Sequence, residues 1–207
     1  MMYIVVMMLV IFIMNQFALM RNHLESIVAE RTQKLKDKSK LLEYKTEHDD
    51  LTGLVNRHYI NKHIKGLLSN QNIDNNRIYI AFADIDSFKK INDDYSHDVG
   101  DEVLVQIAKV LQHFCNERLI IARFGGEEFL LCFVNDNIES VVGICNEIRE
   151  QIKTIDLNHI DTELQITISV GLVKAHVDSL HKTLISCADD NLYKAKNNGK
   201  DQVIFSY

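Results

Sequence analysis

The chain has 207 residues, 46% hydrophobic and 25% charged, enough for one ordinary globular domain plus an appendage. A net charge of −6 argues against nucleic acid as a partner, since that needs a basic face to neutralise phosphates, but leaves room for a small anionic substrate in a local basic pocket. Cys115, Cys132, Cys145 and Cys187 have no metal-ligand spacing and read as reduced thiols of a cytoplasmic domain.

Residues 1–20 contain no charged side chain and are interrupted only by Asn15 and Gln16. About twenty apolar residues in a helix cover the roughly 30 Å hydrocarbon core of a bilayer. A cleaved signal peptide would show a basic start, a shorter apolar stretch and a small-residue cleavage site, none of which is present. The segment therefore reads as a transmembrane helix, with a buried soluble helix as the alternative. Arg21, Arg31, Lys34, Lys36, Lys38 and Lys40 follow it, so the positive-inside rule places the remainder in the cytoplasm. The expectation is a single pass through the inner, cytoplasmic membrane. With almost nothing before the span, no external sensing domain is expected, and the chain reads as a minimal anchored protein or as the C-terminal piece of a longer receptor.

Residues 21–47 lack Gly and Pro and are rich in Leu, Glu, Lys and Arg, which predicts a continuous helix. Val28, Leu35 and Leu42 recur as one heptad row, whereas the companion row, Leu24, Arg31, Lys38 and Lys45, is mostly basic. A seam apolar on one row is either a solvated spacer or a parallel dimer stalk of low stability.

In the rest of the chain, Asp49 to Gly53 is a turn and a helix is predicted from Asn56 to Ser69. A loop follows at residues 70–76, then a strand from Ile78 to Asp84 and a helix from Asp98 to Phe114. Leu119–Phe124 and Glu128–Val134 form a hairpin about Gly125-Gly126. A helix from Ile138 to Ile152, a strand from Ile166 to Val173, a helix from Leu180 to Asn197 and an edge strand at Val203–Phe205 complete the order. A central hairpin demands a partly antiparallel sheet, so the class is α+β rather than doubly wound.

Asp84 and Asp86 stand where the first strand stops, and Glu127 and Glu128 at the hairpin turn. If these strands are neighbours, acids from two elements converge at one sheet edge, where they repel unless a cation joins them. Oxygen ligands with remaining sites filled by water suit Mg²⁺. Alone, an Asp at a strand end is a solvated turn residue or a cap. Gly125 and Gly126 remove side chains where backbone must approach a large ligand, as a nucleoside triphosphate would require.

The stretch Arg123-Phe124-Gly125-Gly126-Glu127-Glu128-Phe129 resembles the GGDEF motif in its GGEEF form. Asp49 to Arg57 is similar to the DxLTGLxNR entry of the same family, and Asp84 to Asp93 with His97 to Asp101 resembles its substrate-binding segment. Ala188 to Lys196, through Gly199-Lys200, resembles its closing helix. Four motifs in order over residues 48–207 identify a resemblance to the diguanylate cyclases, which condense two GTP into cyclic di-GMP and two pyrophosphates. The resemblance implies a palm-like fold of the nucleotidyl cyclase or ferredoxin-like kind. Its sheet would be mixed, mainly antiparallel and flanked by helices. The domains expected are a transmembrane helix at 1–20, a helical or coiled-coil linker at 21–47 and the cyclase domain at 48–207.

Carried over by residue, the resemblance implies that Asp84, Glu127 and the carbonyl of Ile85 hold Mg²⁺, or Mn²⁺ in its place, with Glu128 joining for a second ion. It implies Phe88, Lys89, Lys196 and Lys200 at the phosphates, with Lys89 among the catalytic groups, although each lysine alone reads as a solvated surface charge. Asn92 and Asp101 would read guanine, since Asp101 can accept from N1–H and N2–H₂; Asp101 as a helix cap is the alternative. Arg123 would organise the turn, and Arg57 would be a structural ion-pairing residue. The partners implied are GTP, a second copy facing the first, and the membrane. A catalytically silent GGDEF module that binds nucleotide or a partner protein is the rival reading. Two departures stand out: Ser96 replaces the usual glycine before His97, and Asn116 to Leu119 lacks the Arg and Asp of the RxxD motif for product inhibition.

Overall fold

A computed structural model describes residues 2–70, 77–175 and 180–206. The loop expected at 70–76 lies, beyond Asn70, outside the described residues. Two compact units divide between Thr46 and Glu47.

The first unit belongs to one helix, α1 (Met2–Glu47), which continues unbroken through residue 20. It holds an 18-residue window of mean hydropathy 2.2, none of it buried, so by length and composition it can cross a membrane. Further along α1, Val28, Leu35 and Leu42 are more than 60% exposed. The polar face carries the i,i+4 pairs Arg21–Glu25 and Lys34–Glu30, which support an isolated helix modestly.

The second unit is a six-stranded sheet with helices on both faces. Its elements are β1 (Val55–Asn56), α2 (Arg57–Leu68), β2 (Ile78–Ile85), α3 (Phe88–Asp94), α4 (His97–Phe114), β3 (Leu119–Arg123), β4 (Glu128–Val134), α5 (Ile138–Lys153), β5 (Ile168–Lys174), α6 (His181–Asn197) and β6 (Val203–Ser206). The spatial order is β1-β3-β4-β2-β5-β6. The four central strands pair antiparallel, and the two edge strands join in parallel. This is the mixed, mainly antiparallel α+β architecture expected.

Alternation along β2 builds the core. Every residue of β2 is buried, because both faces of the sheet are covered. Tyr79, Ala81, Ala83 and Ile85 enter one cluster with Val103, Leu104 and Ile107 of α4 and Val141, Cys145 and Ile148 of α5. Ile78, Ile80 and Phe82 enter the other, with Ile60 and Ile64 of α2 and Leu184, Ala188 and Leu192 of α6. The thiols of Cys132 and Cys145 lie inside, and burial pushes each up to about 12, so neither ionises near neutrality.

Two elements differ from expectation. The two-residue β1 is too short to leave a pattern in the sequence. The short α3 fills a span predicted as motif rather than helix; it is held by Phe88 and Ile91, one turn apart and both buried. Asn56 proves to be the N-cap of α2, its side chain accepting from the Tyr59 amide at 3.0 Å.

Candidate active site

Strand pairing brings the acids together. β2 lies between β4 and β5, with Asp84 in register opposite Glu128 on one side and Ser169 on the other. The pairing continues beyond β4, since the Ile85 amide donates to the Glu127 carbonyl at 3.3 Å. Asp84 is only 6% exposed, while Glu127 and Glu128 are half-buried at the same edge. Burial raises the pKa of all three carboxyls above the ordinary carboxylate value. The charge of Asp84 raises Glu127 and Glu128 further, and Asp189 raises Asp84 and Glu128. The edge is thus acidic, desolvated and short of positive charge.

The cation that answers Asp84 here is Lys196, whose ammonium stands 2.6 Å from Oδ1. The contact is an ion pair without hydrogen-bond geometry, and Oδ1 accepts no hydrogen bond. Lys196 and Asp189 are two turns apart on α6, a spacing that sets both on the face toward the acids. That spacing is the sequence signal by which Asp189 could have been found.

Asp86, the other acid at the end of β2, has a different task. It is buried and accepts from Thr167 Oγ1 at 2.7 Å, Ser169 Oγ at 2.7 Å and the Asp201 amide at 3.1 Å. Such a saturated carboxylate ties strands and loop together and has little capacity left for a metal.

The glycine turn is held from outside. Arg123 donates through Nε and Nη2 to the Gly126 carbonyl, at 3.1 and 2.9 Å, and through Nη1 to Asp49 at 3.0 Å. Burial would raise the Asp49 carboxyl, but hydrogen bonds from Thr52 and Arg123 outweigh it and hold the pKa below the ordinary value. A Cβ on Gly125 would meet the Glu128 carboxylate, so a larger residue there would have to turn that acid aside. Arg57 lies over the Phe124 ring at 4.5 Å, a cation–π contact, and its charge lowers the Glu128 carboxyl.

The remaining predicted residues lie on α3, on α4 and in the loop after α6. Ser87, at φ 59°, turns the chain from β2 into α3. Phe88 is buried, and Lys89 points to the surface as an exposed residue of α3. Lys200 Nζ donates to Ser87 Oγ at 2.7 Å, which fixes one cation beside that turn. Asn92 Oδ1 is buried and accepts no hydrogen bond from any described residue, and it lies so close to Gly100 that a Cβ there would collide with it. Asp101, the next residue, is exposed on α4. An unpaired buried acceptor costs free energy unless a donor arrives.

Among the described residues, no three His, Cys, Asp or Glu side chains surround one point as a ready cage. The donors still suit a hard divalent cation. Mg²⁺ is usually held by one or two carboxylates plus substrate phosphates and water, and Asp84, paired here with Lys196, offers a buried carboxylate beside Glu128 and Glu127.

The family model for the diguanylate cyclase GGDEF domain matches residues 46–202. Diguanylate cyclase DgcP of Pseudomonas aeruginosa is 33% identical over 155 residues, 75% of this chain and 23% of that protein. An uncharacterized membrane protein of Staphylococcus haemolyticus is 30% identical over 167 residues, 79% of this chain and 47% of its own. The chain therefore spans about a quarter to a half of the curated relatives it matches. Among solved structures, the coiled coil and GGDEF domain of DgcB from Caulobacter crescentus, in complex with c-di-GMP, superposes with a TM-score of 0.81. That match covers 88% of this chain and 99% of the other at 26% identity. A sheet edge of this form, on a domain matched over residues 46–202, places the chain in the GGDEF-domain family of the diguanylate cyclases.

Proposed function

We propose that this chain is an active diguanylate cyclase, condensing two GTP into cyclic di-GMP with release of two pyrophosphates. The observation that carries the reading is a pair of buried acceptors: Asp84 Oδ1, whose counter-charge is Lys196, and Asn92 Oδ1, which takes no hydrogen bond from any described residue. One suits a metal-bound triphosphate and the other a purine edge bearing hydrogen-bond donors. Guanine offers N1–H and N2–H₂ to Asn92 and Asp101, whereas adenine lacks that donor edge.

In this reading Asp84, Glu127 and the Ile85 carbonyl would hold Mg²⁺, with Glu128 joining for a second ion, and the metal would supply charge to neutralise the phosphates and lower the pKa of the attacking hydroxyl. Lys196 moves from Asp84 to the phosphates, and Lys89 and Lys200 add charge at the Ser87–Lys89 turn. The 3′-oxygen of one GTP gives up its proton to solvent water and bonds to the α-phosphorus of the other. The bond to the β-phosphate bridge breaks and pyrophosphate leaves. A second, symmetric step closes the ring. Because one domain accommodates one GTP, two domains must face each other.

The remaining assignments belong to the same reading. Residues 1–20 are the single membrane span, 21–47 a parallel dimer stalk along Val28, Leu35 and Leu42, and 48–207 the cytoplasmic cyclase domain. Support comes from the apolar window of α1, from the membrane protein among the relatives and from the coiled coil in the Caulobacter structure.

Base choice tests the site directly. With Mg²⁺, the α,β-methylene analogue of GTP is expected to bind at least about a hundredfold more tightly than the corresponding ATP analogue in calorimetry, since a site built for hydrogen-bond donors rejects a ligand lacking them. Equal affinities would refute the guanine assignment.

Product feedback gives another expectation. Residues 116–119 form a tight turn in which Asn116 Oδ1 accepts from the Arg118 and Leu119 amides, and neither acidic nor basic groups stand at the RxxD ends. Added cyclic di-GMP should inhibit only by competing with GTP. Steady-state inhibition that persists at saturating GTP would contradict this.

A further inference from the structure

The loop between α6 and β6 is held in an unusual backbone state. Gly199, Lys200 and Asp201 have φ of 111°, 64° and 47°, three successive positive values. For Lys200 and Asp201, which carry a Cβ, this region is unfavourable and persists only where the surroundings over-determine it.

The surroundings do so through α5. The Asp201 carboxylate takes Arg149 Nη1 on one oxygen at 2.6 Å and Lys153 Nζ on the other at 2.5 Å. The Asp201 amide donates to Asp86, and the Lys200 amide to the Ala195 carbonyl at 3.0 Å. Gln202 Nε2 closes the loop onto the carbonyls of Ala195 and Lys200. Arg149 and Lys153 also meet Glu150, but that side chain is 58% exposed against 30% for Asp201, so the pairs to Asp201 are the better shielded. What the clamp fixes is Lys200, whose Nζ reaches Ser87 Oγ at 2.7 Å, beside the turn that follows Asp84 and Ile85.

We propose that Arg149 and Lys153 are positioning residues for the triphosphate of GTP. They act through Asp201, which holds the 199–202 loop so that Lys200 stands over the Ser87–Lys89 turn. This inference rests on the reading that triphosphate binds at that turn. It extends the site to a helix that carries none of the recognised motifs. A purely structural ion-pair cluster would stabilise the domain without depending on Lys200, and that difference decides between the two roles.

The test is a double-mutant cycle on the full chain in detergent micelles, reading the dissociation constant of the α,β-methylene analogue of GTP with Mg²⁺ by calorimetry. Arg149→Met with Lys153→Met is expected to weaken binding about tenfold, and Lys200→Met by a similar factor. In the Lys200→Met background the Met pair should add less than about twofold. The swap Arg149→Lys with Lys153→Arg, which keeps both charges, should restore binding to within about threefold. With GTP itself, KM should rise while kcat holds. If the Met pair does not fold, Asp201→Asn takes its place, since Asn tolerates the left-handed conformation and keeps the amide but not the charge. Unchanged affinity, or the full tenfold loss persisting without Lys200, overturns the positioning role. Failure of the parent chain to bind the analogue would instead overturn the reading of the site, and the clamp with it.

Discussion

Glu127→Gln is expected to cut GTP condensation by at least about 10³-fold, which corresponds to about 4 kcal/mol of transition-state stabilisation. The amide keeps the shape of the turn that Arg123 holds from outside, but it removes a charge that the metal needs. The same change should raise the thermal midpoint of metal-free protein at neutral pH. Glu127 and Glu128 have raised pKa values in the fold, from burial first and the charge of Asp84 second, and burial raises Asp84 against the opposing pull of Lys196. A raised folded pKa means that the fold favours the protonated acid, so stability is present at low pH and lost as pH rises through the raised values. The gain from Glu127→Gln should therefore be full at neutrality and vanish below the ordinary carboxylate range. Near-native turnover in the variant would contradict the metal assignment; a lowered midpoint at neutral pH would contradict the electrostatics.

The second large effect falls outside the recognised motifs. Gly171, in the middle of β5, lies so close to α6 that an added Cβ would run into the Ala188 carbonyl and the Leu192 amide. Both are helix backbone, which cannot turn aside as a side chain can. Gly171→Ala therefore has to push α6 off the sheet. The shift would strain the hydrogen bond from Asn191 Nδ2 to the Leu172 carbonyl, 2.9 Å and buried, and displace Lys196 from the acids. Overpacking of this kind costs about 3 kcal/mol, or roughly 6–12 °C in a domain of this size. Gly143→Ala is the matched control, because nothing stands within 4 Å of its Cβ and the residue sits inside α5. It should stabilise by about 0.5–1 kcal/mol. A melting point for Gly171→Ala within a degree of the parent would mean that α6 does not pack as closely as described.

Much of this architecture is legible in the sequence where the signal is periodic and local. The apolar run at 78–84 marks a strand covered on both faces, and the hairpin about Gly125-Gly126 forces antiparallel pairing. From those two elements alone, the acids of two strand ends are expected at one edge, and the register of Asp84 with Glu128 puts them there. Other features leave no local signature. α3 is short and mostly polar, so its two anchoring residues do not amount to a helical period. The clamp joins positions 149 and 153 to 201, and ion pairs at that separation have no pattern before the chain is folded. The role of Gly171 depends on helix backbone at positions 188 and 192, seventeen and twenty-one residues further on. Lys196 illustrates a different limit: its family position implies phosphate, while in the structure it neutralises Asp84. A lysine beside both kinds of anion can serve each in turn, and sequence carries no order of events.

The central claim is that this chain makes cyclic di-GMP. The most direct measurement is to incubate the full chain in detergent micelles with GTP and Mg²⁺ and to identify the products by mass. The account predicts cyclic di-GMP with two pyrophosphates per molecule, at a rate per chain that climbs with chain concentration as domains meet in pairs. GTP left unchanged by folded protein that binds its α,β-methylene analogue would contradict the account and favour a nucleotide-binding module without catalysis.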